Sequence, residues 1–345
     1  MTDTIQALQI VRFGGPEVLQ IRETPKAGLS PDSIRVQVKA AGVNFADIMM
    51  RIGAYPEAPK PPFTPGYEIS GVVTEVGKGV TSFAVGDRVL AGTRFGGYTN
   101  EIVLPESQAQ KIPDALSDAE AAAIPVNFLT AWLGLSEMGR VRKGDRVLVQ
   151  SAAGGVGTAA VQIAAQAGAH VVGLVGSPKK ADVVRSLGAA EVLTNEEWDS
   201  GSDREHGGFD VILDSVGGAS LKRSYRRLAP AGRVITFGVS SAISGEKRAL
   251  SKFLSLFANT AIFTPFQLMM ANKGVFGLNL LKVFEPTPEG KPPKLLVSGL
   301  EFLMRGFEEK RFKAIVGKTF PLSEGGAAHT YLQSRANIGK VILLP

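Results

Sequence analysis

The chain of 345 residues has no cysteine and only three histidines, His170, His206 and His329. The first absence excludes disulfides, thiolate nucleophiles and cysteine-based zinc sites together, and it fits a reducing compartment. The histidines are far apart and in no ligand-like spacing, so zinc would have to be held mostly by carboxylates, which it seldom accepts alone. No metal site is expected. Met1–Gln9 has neither a basic stretch followed by an apolar one nor an Arg-rich character, so a cytoplasmic protein is expected. A basic helix and aromatic-basic interleaving are also missing, although the formal charge is +6 and the pI near 9.4. That argues against a nucleic-acid partner and leaves a solvated surface, an anionic cofactor or peripheral contact with an anionic membrane.

One charge-free run is long enough to raise a membrane span, the twenty residues Phe253–Asn272. Asn259, Thr260, Thr264, Pro265, Gln267 and Asn272 interrupt it, and each is costly in hydrocarbon. Buried helices over a substrate pocket or a subunit interface are expected instead.

The apolar content of 44% suffices for two cores, and the texture of the chain changes once. Up to about residue 124, short β-type runs at 7–13, 34–40, 69–76, 88–90 and 98–104 alternate with Gly and Pro clusters. From Arg146 onward, apolar strands at 146–150, 170–175, 191–194, 211–215 and 233–238 alternate with helical stretches. This alternation predicts βαβ units and a parallel sheet. The Pro-rich segment 285–293 reads as a linker to a last helix near 295–311 and terminal strands at Phe320 and 341–344.

The strongest signal is Arg146-Val147-Leu148-Val149-Gln150-Ser151-Ala152-Ala153-Gly154-Gly155-Val156-Gly157, an apolar strand running into a glycine-rich turn and a helix. A diphosphate needs backbone N–H donors unobstructed by side chains, and a helix N-terminus adds a favourable dipole. Ala153, Gly154, Gly155, Val156 and Gly157 are therefore candidate cofactor contacts. An NAD enzyme usually ends its second strand with an acid against the ribose 2′-hydroxyl. Here the strand ends Leu174-Val175-Gly176-Ser177-Pro178-Lys179-Lys180. Without a carboxylate to repel it, a 2′-phosphate has room at Gly176, a hydroxyl donor in Ser177 and an ammonium in Lys180, which favours NADP(H). A solvated first helical turn is the alternative reading of the two lysines.

Together with Gly66-Tyr67-Glu68, Val85-Gly86-Asp87-Arg88-Val89 and Gly42-Val43-Asn44-Phe45-Ala46-Asp47, these residues resemble the medium-chain dehydrogenase/reductase superfamily over essentially the whole chain. The run from Gly144-Asp145 to Gln162 and the ending Ser334–Lys340 resemble its quinone oxidoreductase and zeta-crystallin branch. Phe266-Gln267-Leu268 and Asn272–Gly277 look most like the vesicle amine transport protein subgroup. The resemblance implies an α/β fold in which a doubly wound Rossmann sheet (125–283) is inserted into a GroES-like, mainly β catalytic domain (1–124 and 284–345). It implies a reactive cleft between the two and a homodimer in which a strand near 275–281 extends the sheet. Zinc-dependent relatives carry a Cys in the first motif and a His where Tyr67 stands. Both are missing here, so reduction of quinones or α,β-unsaturated carbonyls is more plausible than alcohol oxidation.

By the same resemblance, Asn44, Asp47 and Tyr55 match residues lining the nicotinamide and substrate side of the cleft, where a hydride donor must be held on the order of 3 to 3.5 Å from its acceptor. Tyr55 or Tyr67 could relay a proton, but a free phenol pKa of about 10 makes water an equal candidate. For Tyr67 a packed ring beneath the cleft is the alternative, as loop capping is for Asn44 and Asp47. Asn127 and Thr130 correspond to positions near the nicotinamide ribose, Gly238 and Val239 to a backbone turn approaching the nicotinamide, and Phe276 and Gly277 to a wall of the same pocket. Arg335 matches an arginine near the adenosine phosphate, and Asn195 stands where some relatives have a tyrosine. The second function weighed is an NADPH-binding membrane-surface or lipid-binding protein with little turnover.

Overall fold

The structure is a computed structural model that describes residues 4–201, 207–240, 262–285 and 292–345. The first half is β-rich because its apolar residues alternate. Strands β1 (Thr4–Ile10) and β2 (Leu19–Pro25) form a hairpin. β3 (Ser33–Val43), β4 (Glu68–Val76), β5 (Arg88–Gly92), β6 (Glu101–Pro105) and β7 (Ala109–Lys111) build a second, larger sheet with antiparallel pairing. Two short helices, α1 (Phe45–Arg51) and α2 (Asp118–Ala121), and the buried α3 (Pro125–Trp132) lead out of it.

The parallel sheet then follows: β8 (Arg146–Val149), α4 (Gly155–Gln166), β9 (His170–Val175), α5 (Ala181–Ser186), β10 (Glu191–Thr194), α6 (Asn195–Ser200), β11 (Phe209–Asp214), α7 (Ala219–Arg226), β12 (Leu228–Thr236) and β13 (Gly274–Gly277). Its order is β10-β9-β8-β11-β12-β13, with every pairing parallel. The chain leaves β8 toward β9 on one side and returns on the other at β11. The ends of β8 and β11 therefore form the topological switch point, where open α/β sheets bind ligands. Finally β14 (Val316–Pro321) and β15 (Lys340–Leu344) rejoin the larger sheet of the β-rich half, β15 pairing antiparallel with β3. Just before β15, Gly339 forms an isolated bridge with Gly154, so the end of the chain touches both halves.

The strands expected at 146–150, 170–175, 191–194, 211–215 and 233–238 all form; besides the three-residue Ala109–Lys111, the sequence reading missed Leu19–Pro25. Its residues are mostly exposed, so it shows little of the apolar alternation by which strands are found. Two expectations change. The strand expected at 275–281 ends at Gly277, and Leu281–Phe284 is helical. Within the run Phe253–Asn272, whose first residues lie outside the described ones, the helix Pro265–Ala271 is not buried. Phe266, Met269 and Met270 are 66–69% exposed in the single chain, and the helix directly precedes β13, the last strand of its sheet among the described residues. Among the described residues no helix is long and apolar enough to cross a membrane. His206 also lies outside the described residues.

Candidate functional site

The glycine-rich turn closes β8 and opens α4 at the switch point. Gly154 is the extended N-cap of α4, so the first-turn N–H groups of Gly155, Val156 and Gly157 point out of the helix end. The glycines are sterically required. A Cβ on Gly157 would stand 2.2 Å from the Ser151 carbonyl oxygen, and one on Gly155 would stand 2.7 Å from the amide of Asn127. Ser151 takes a left-handed φ of 51° and accepts a hydrogen bond from Ser215 Oγ, at the end of β11, at 3.0 Å. A Cβ on Gly238 would lie 2.5 Å from the Ser215 carbonyl, so the Gly238-Val239 turn closes against the same strand end. These features make a backbone cradle with no side chain in its floor.

The C-terminal strap, residues 335–340, crosses this cradle. Gly339 donates its N–H to the Ala153 carbonyl at 2.8 Å, in an isolated parallel bridge with Gly154. At one end of the strap, Lys180 Nζ donates to the carbonyls of Arg335 and Asn337, both at 2.7 Å. Two of the three ammonium protons are thus engaged with backbone, which leaves one for the phosphate contact expected of Lys180. Arg335, at φ 56°, donates to the Ser240 carbonyl at 3.2 Å. Asn195 is exposed, with Nδ2 3.8 Å from where a Gly176 Cβ would be, and Ser177 stands at the same edge. Gly176, Ser177, Lys180, Asn195 and Arg335 thus fall at the strap's outer end.

At the inner end lies a buried polar network that the sequence reading only brushed. Lys340, 2% exposed, pairs with Glu68, which is fully buried. The same ammonium donates to Asn44 Oδ1 at 2.6 Å and to Asn127 Oδ1 at 3.3 Å. Glu68 in turn accepts from Asn44 Nδ2 at 3.0 Å and from the Val126 N–H at 2.7 Å. Both residues had been quoted as motif letters. Their pairing was invisible because they are 272 positions apart. Thr130 is buried within α3.

For Asp47 the structure favours the loop-capping alternative over the cleft lining that the resemblance implied. Asp47 is completely buried, so it does not line the cleft directly. Its Oδ2 accepts the Asn44 N–H at 2.8 Å and the Tyr98 hydroxyl at 2.8 Å, fastening the start of α1 from beneath. Behind it, Tyr98 Oη lies 3.3 Å from Nε2 of the buried His329. Burial pushes the Asp47 carboxyl up to about 6, against the lowering pull of the Asn44 N–H and the Tyr98 hydroxyl. Burial, with the charge of Arg51 adding to it, lowers His329 to about 3 and keeps the imidazole neutral.

Tyr67 is likewise a packed ring, 5% exposed and 5.6 Å from Phe95 between centroids. Burial first, then the neighbouring Tyr55, raises its phenol far above the ordinary value, which makes it a poor proton donor. Tyr55 is half-buried, with its ring centroid 6.3 Å from that of Tyr67. Its loop is tied to the segment after β13, where Asn279 Nδ2 donates to Glu57 at 3.1 Å. Phe276 is exposed on β13, paired with Ile235. Gly277 lines a cavity of about 590 Å³ with Leu133, Met138, Lys282 and Val283. Among the described residues no group of three or more His, Asp or Glu side chains gathers to hold a metal.

A parallel sheet with a glycine-rich turn at its switch point, set against a β domain to which the chain returns, defines the two-domain medium-chain dehydrogenase architecture. The zinc-binding dehydrogenase family model matches residues 155–286, and the alcohol dehydrogenase GroES-like domain model matches residues 30–114. The synaptic vesicle membrane protein VAT-1 homolog of Homo sapiens is 33% identical over 347 residues, covering 99% of this chain and 86% of that protein. The quinone oxidoreductase of Rattus norvegicus is 31% identical over 351 residues, covering 99% and 98%. The crystal structure of Escherichia coli quinone oxidoreductase complexed with NADPH superposes with a TM-score of 0.84 at 29% identity, over 99% of this chain and all of that one. The chain belongs to the medium-chain dehydrogenase/reductase superfamily, in its zinc-free quinone oxidoreductase branch.

Proposed function

We propose that this protein is an NADPH-dependent oxidoreductase that reduces quinones or α,β-unsaturated carbonyls. The observation that carries the reading is the backbone cradle Ala153–Gly157 at the switch point, continuous on one side with Asn127 and on the other with an acid-free strand end at Gly176 and Ser177. That cradle fits a dinucleotide diphosphate, and the strand end leaves room for a 2′-phosphate. The NADPH-complexed quinone oxidoreductase of the same fold supports the choice of cofactor. Bound there, the cofactor would supply hydride from nicotinamide C4.

The protein's own contribution is positioning and exclusion of water. Asn127, with the Gly238-Val239 turn, would fix the nicotinamide end, while Tyr55 and the edge of Tyr67 would wall the acceptor. Ser177, Lys180 and Arg335 would meet the 2′-phosphate, the third Lys180 proton providing a charge-assisted bond. The acceptor's oxygen would take its proton from water or Tyr55, because Tyr67 holds its own too tightly.

The exposed apolar side chains Phe266, Met269 and Met270, beside β13, the last strand of its sheet among the described residues, favour a covered face. A second copy of the chain pairing along β13 is the reading we adopt. A membrane surface is the other occupant, in keeping with the name of the VAT-1 relatives. Sedimentation with and without anionic vesicles separates the two.

The test of function follows NADPH and NADH oxidation by near-ultraviolet absorbance with a panel of quinones and short enones, using chelator-treated protein. Turnover that prefers NADPH is the expected result. Tight NADPH binding without oxidation of any acceptor would overturn the enzyme reading in favour of a binding protein.

A further inference from the structure

Lys340 is buried at the inner end of the strap, and its three donors match three acceptors on three elements: Glu68 on β4, Asn44 at the cap of α1, and Asn127 on α3. An ammonium is donor only, so whatever amide atom faces it must be an oxygen. It therefore sets the flip of Asn127. Because Oδ1 is drawn to Lys340, the Nδ2 hydrogens turn to the opposite side of the amide fork. Both amide atoms lie close against Gly155, 2.7 Å from where its Cβ would be. The backbone bond from Gly339 to Ala153 fixes Lys340 in register with the glycine-rich turn.

We infer that Lys340 is a positioning residue for hydride transfer. It holds the Asn127 amide with its donor end toward the nicotinamide side of the cleft, so that an acceptor such as a carboxamide carbonyl or ribose hydroxyl is bound in one orientation. The same ammonium locks Asn44, and with it the cleft loop, to the strap. This rests on the reading of the cleft as a nicotinamide site. Glu68 is the ammonium's counterion in the interior, and loss of either member alone leaves a buried charge without its partner.

For that reason the test uses the double variant Glu68→Gln/Lys340→Met beside Lys340→Arg. The double variant removes both charges, and the glutamine oxygen can still accept the Val126 N–H. Three readouts are taken: affinity for adenosine 2′,5′-bisphosphate, the nicotinamide fluorescence of bound NADPH, and turnover with its primary deuterium isotope effect from C4-deuterated NADPH. In the double variant, affinity for the bisphosphate should stay within about twofold, because the adenine end is untouched. The rise in nicotinamide emission on binding should be lost. Turnover should fall on the order of 30-fold, the scale expected of a small misplacement of reacting atoms, with a larger isotope effect. Lys340→Arg, which keeps a donor-only cation, should recover most of the emission.

A folded double variant with unchanged nicotinamide emission would overturn the inference, whatever its turnover. Wild-type protein that binds NADPH with enhanced emission but reduces nothing would overturn the proposed activity and leave Lys340 to be judged on emission. Equal loss of bisphosphate affinity and emission would also overturn the inference, since a general collapse of the site moves both together.

Discussion

The two ends of the cleft are held by the same six-residue strap in opposite ways. At the inner end Lys340 is sealed from solvent and bonded to three side chains, one a carboxylate, and Asp47, Tyr98 and His329 lie buried behind it. At the outer end Lys180 is partly exposed, bonded to two backbone carbonyls, with exposed Arg335 and Asn195 beside it. Buried charges in a low-dielectric interior fix geometry but make every loss costly. Exposed donors to carbonyls can be exchanged for a ligand's oxygens at little cost. The inner end is therefore built to hold reacting atoms still, and the outer end to discriminate between cofactors.

The first test probes the inner end through pH. His329 is a base whose folded pKa, about 3, lies below its ordinary 6.5, so its contribution to stability is complete above 6.5 and is lost as the pH falls toward 3. Asp47 has the opposite sign. Its folded pKa of about 6 exceeds the ordinary 3.8, so its neutral form is favoured in the fold and stability is gained as the pH falls from 6 to 3.8. Between about pH 6 and 4 the two nearly cancel. Urea unfolding of His329→Gln against wild type should uncover this. Between pH 7 and 4 the wild type should lose roughly 3 kcal/mol relative to the variant. A constant difference would show that His329 is not held neutral.

Lys340→Ala sharpens the contrast between the lysines. It strands the Glu68 carboxylate in the interior, and a loss of about 3–5 kcal/mol in unfolding free energy is expected. Lys180→Ala should cost only about 1 kcal/mol, the scale of ordinary hydrogen bonds. Its larger consequence should fall on specificity, with the preference for NADPH over NADH in kcat/KM reduced about tenfold for one lost charge-assisted bond. Equal destabilisation by both substitutions would break the distinction between the ends.

The sequence exposed the outer architecture better than the inner. The strand-turn-helix around Gly154–Gly157 was legible because all its parts are contiguous, and the acid-free end of β9 could be read directly. Glu68, Tyr98, His329 and Lys340 were not legible as a unit. His329 was weighed only as a metal ligand, and nothing local in the chain tells that Lys340 faces an asparagine 296 residues away. Asp47 was placed in the cleft on a resemblance, whereas its carboxylate turns inward because the Asn44 N–H and the Tyr98 hydroxyl lie there. The apolar helix Pro265–Ala271 was expected to be buried because its composition is that of a core, and composition does not reveal whether the sheet has another strand to cover it.

The smallest expected effects concern the two tyrosines, and they test whether the inner end does chemistry or only holds it in place. If the interior supplied the proton, Tyr67→Phe would abolish reduction of a quinone. Burial holds the Tyr67 phenol far above the ordinary value, which favours a donor nearer water; the half-buried Tyr55 is raised too, by the same cause. Tyr67→Phe should therefore leave kcat within about threefold of wild type, while Tyr55→Phe, altering a half-buried hydroxyl, should lower it by up to about tenfold if Tyr55 serves as the donor. A solvent deuterium isotope effect on kcat that persists in Tyr55→Phe would assign the proton to water. Loss of turnover in Tyr67→Phe with unchanged nicotinamide emission would instead make the buried ring a chemical participant, and the inner end would be more than a scaffold.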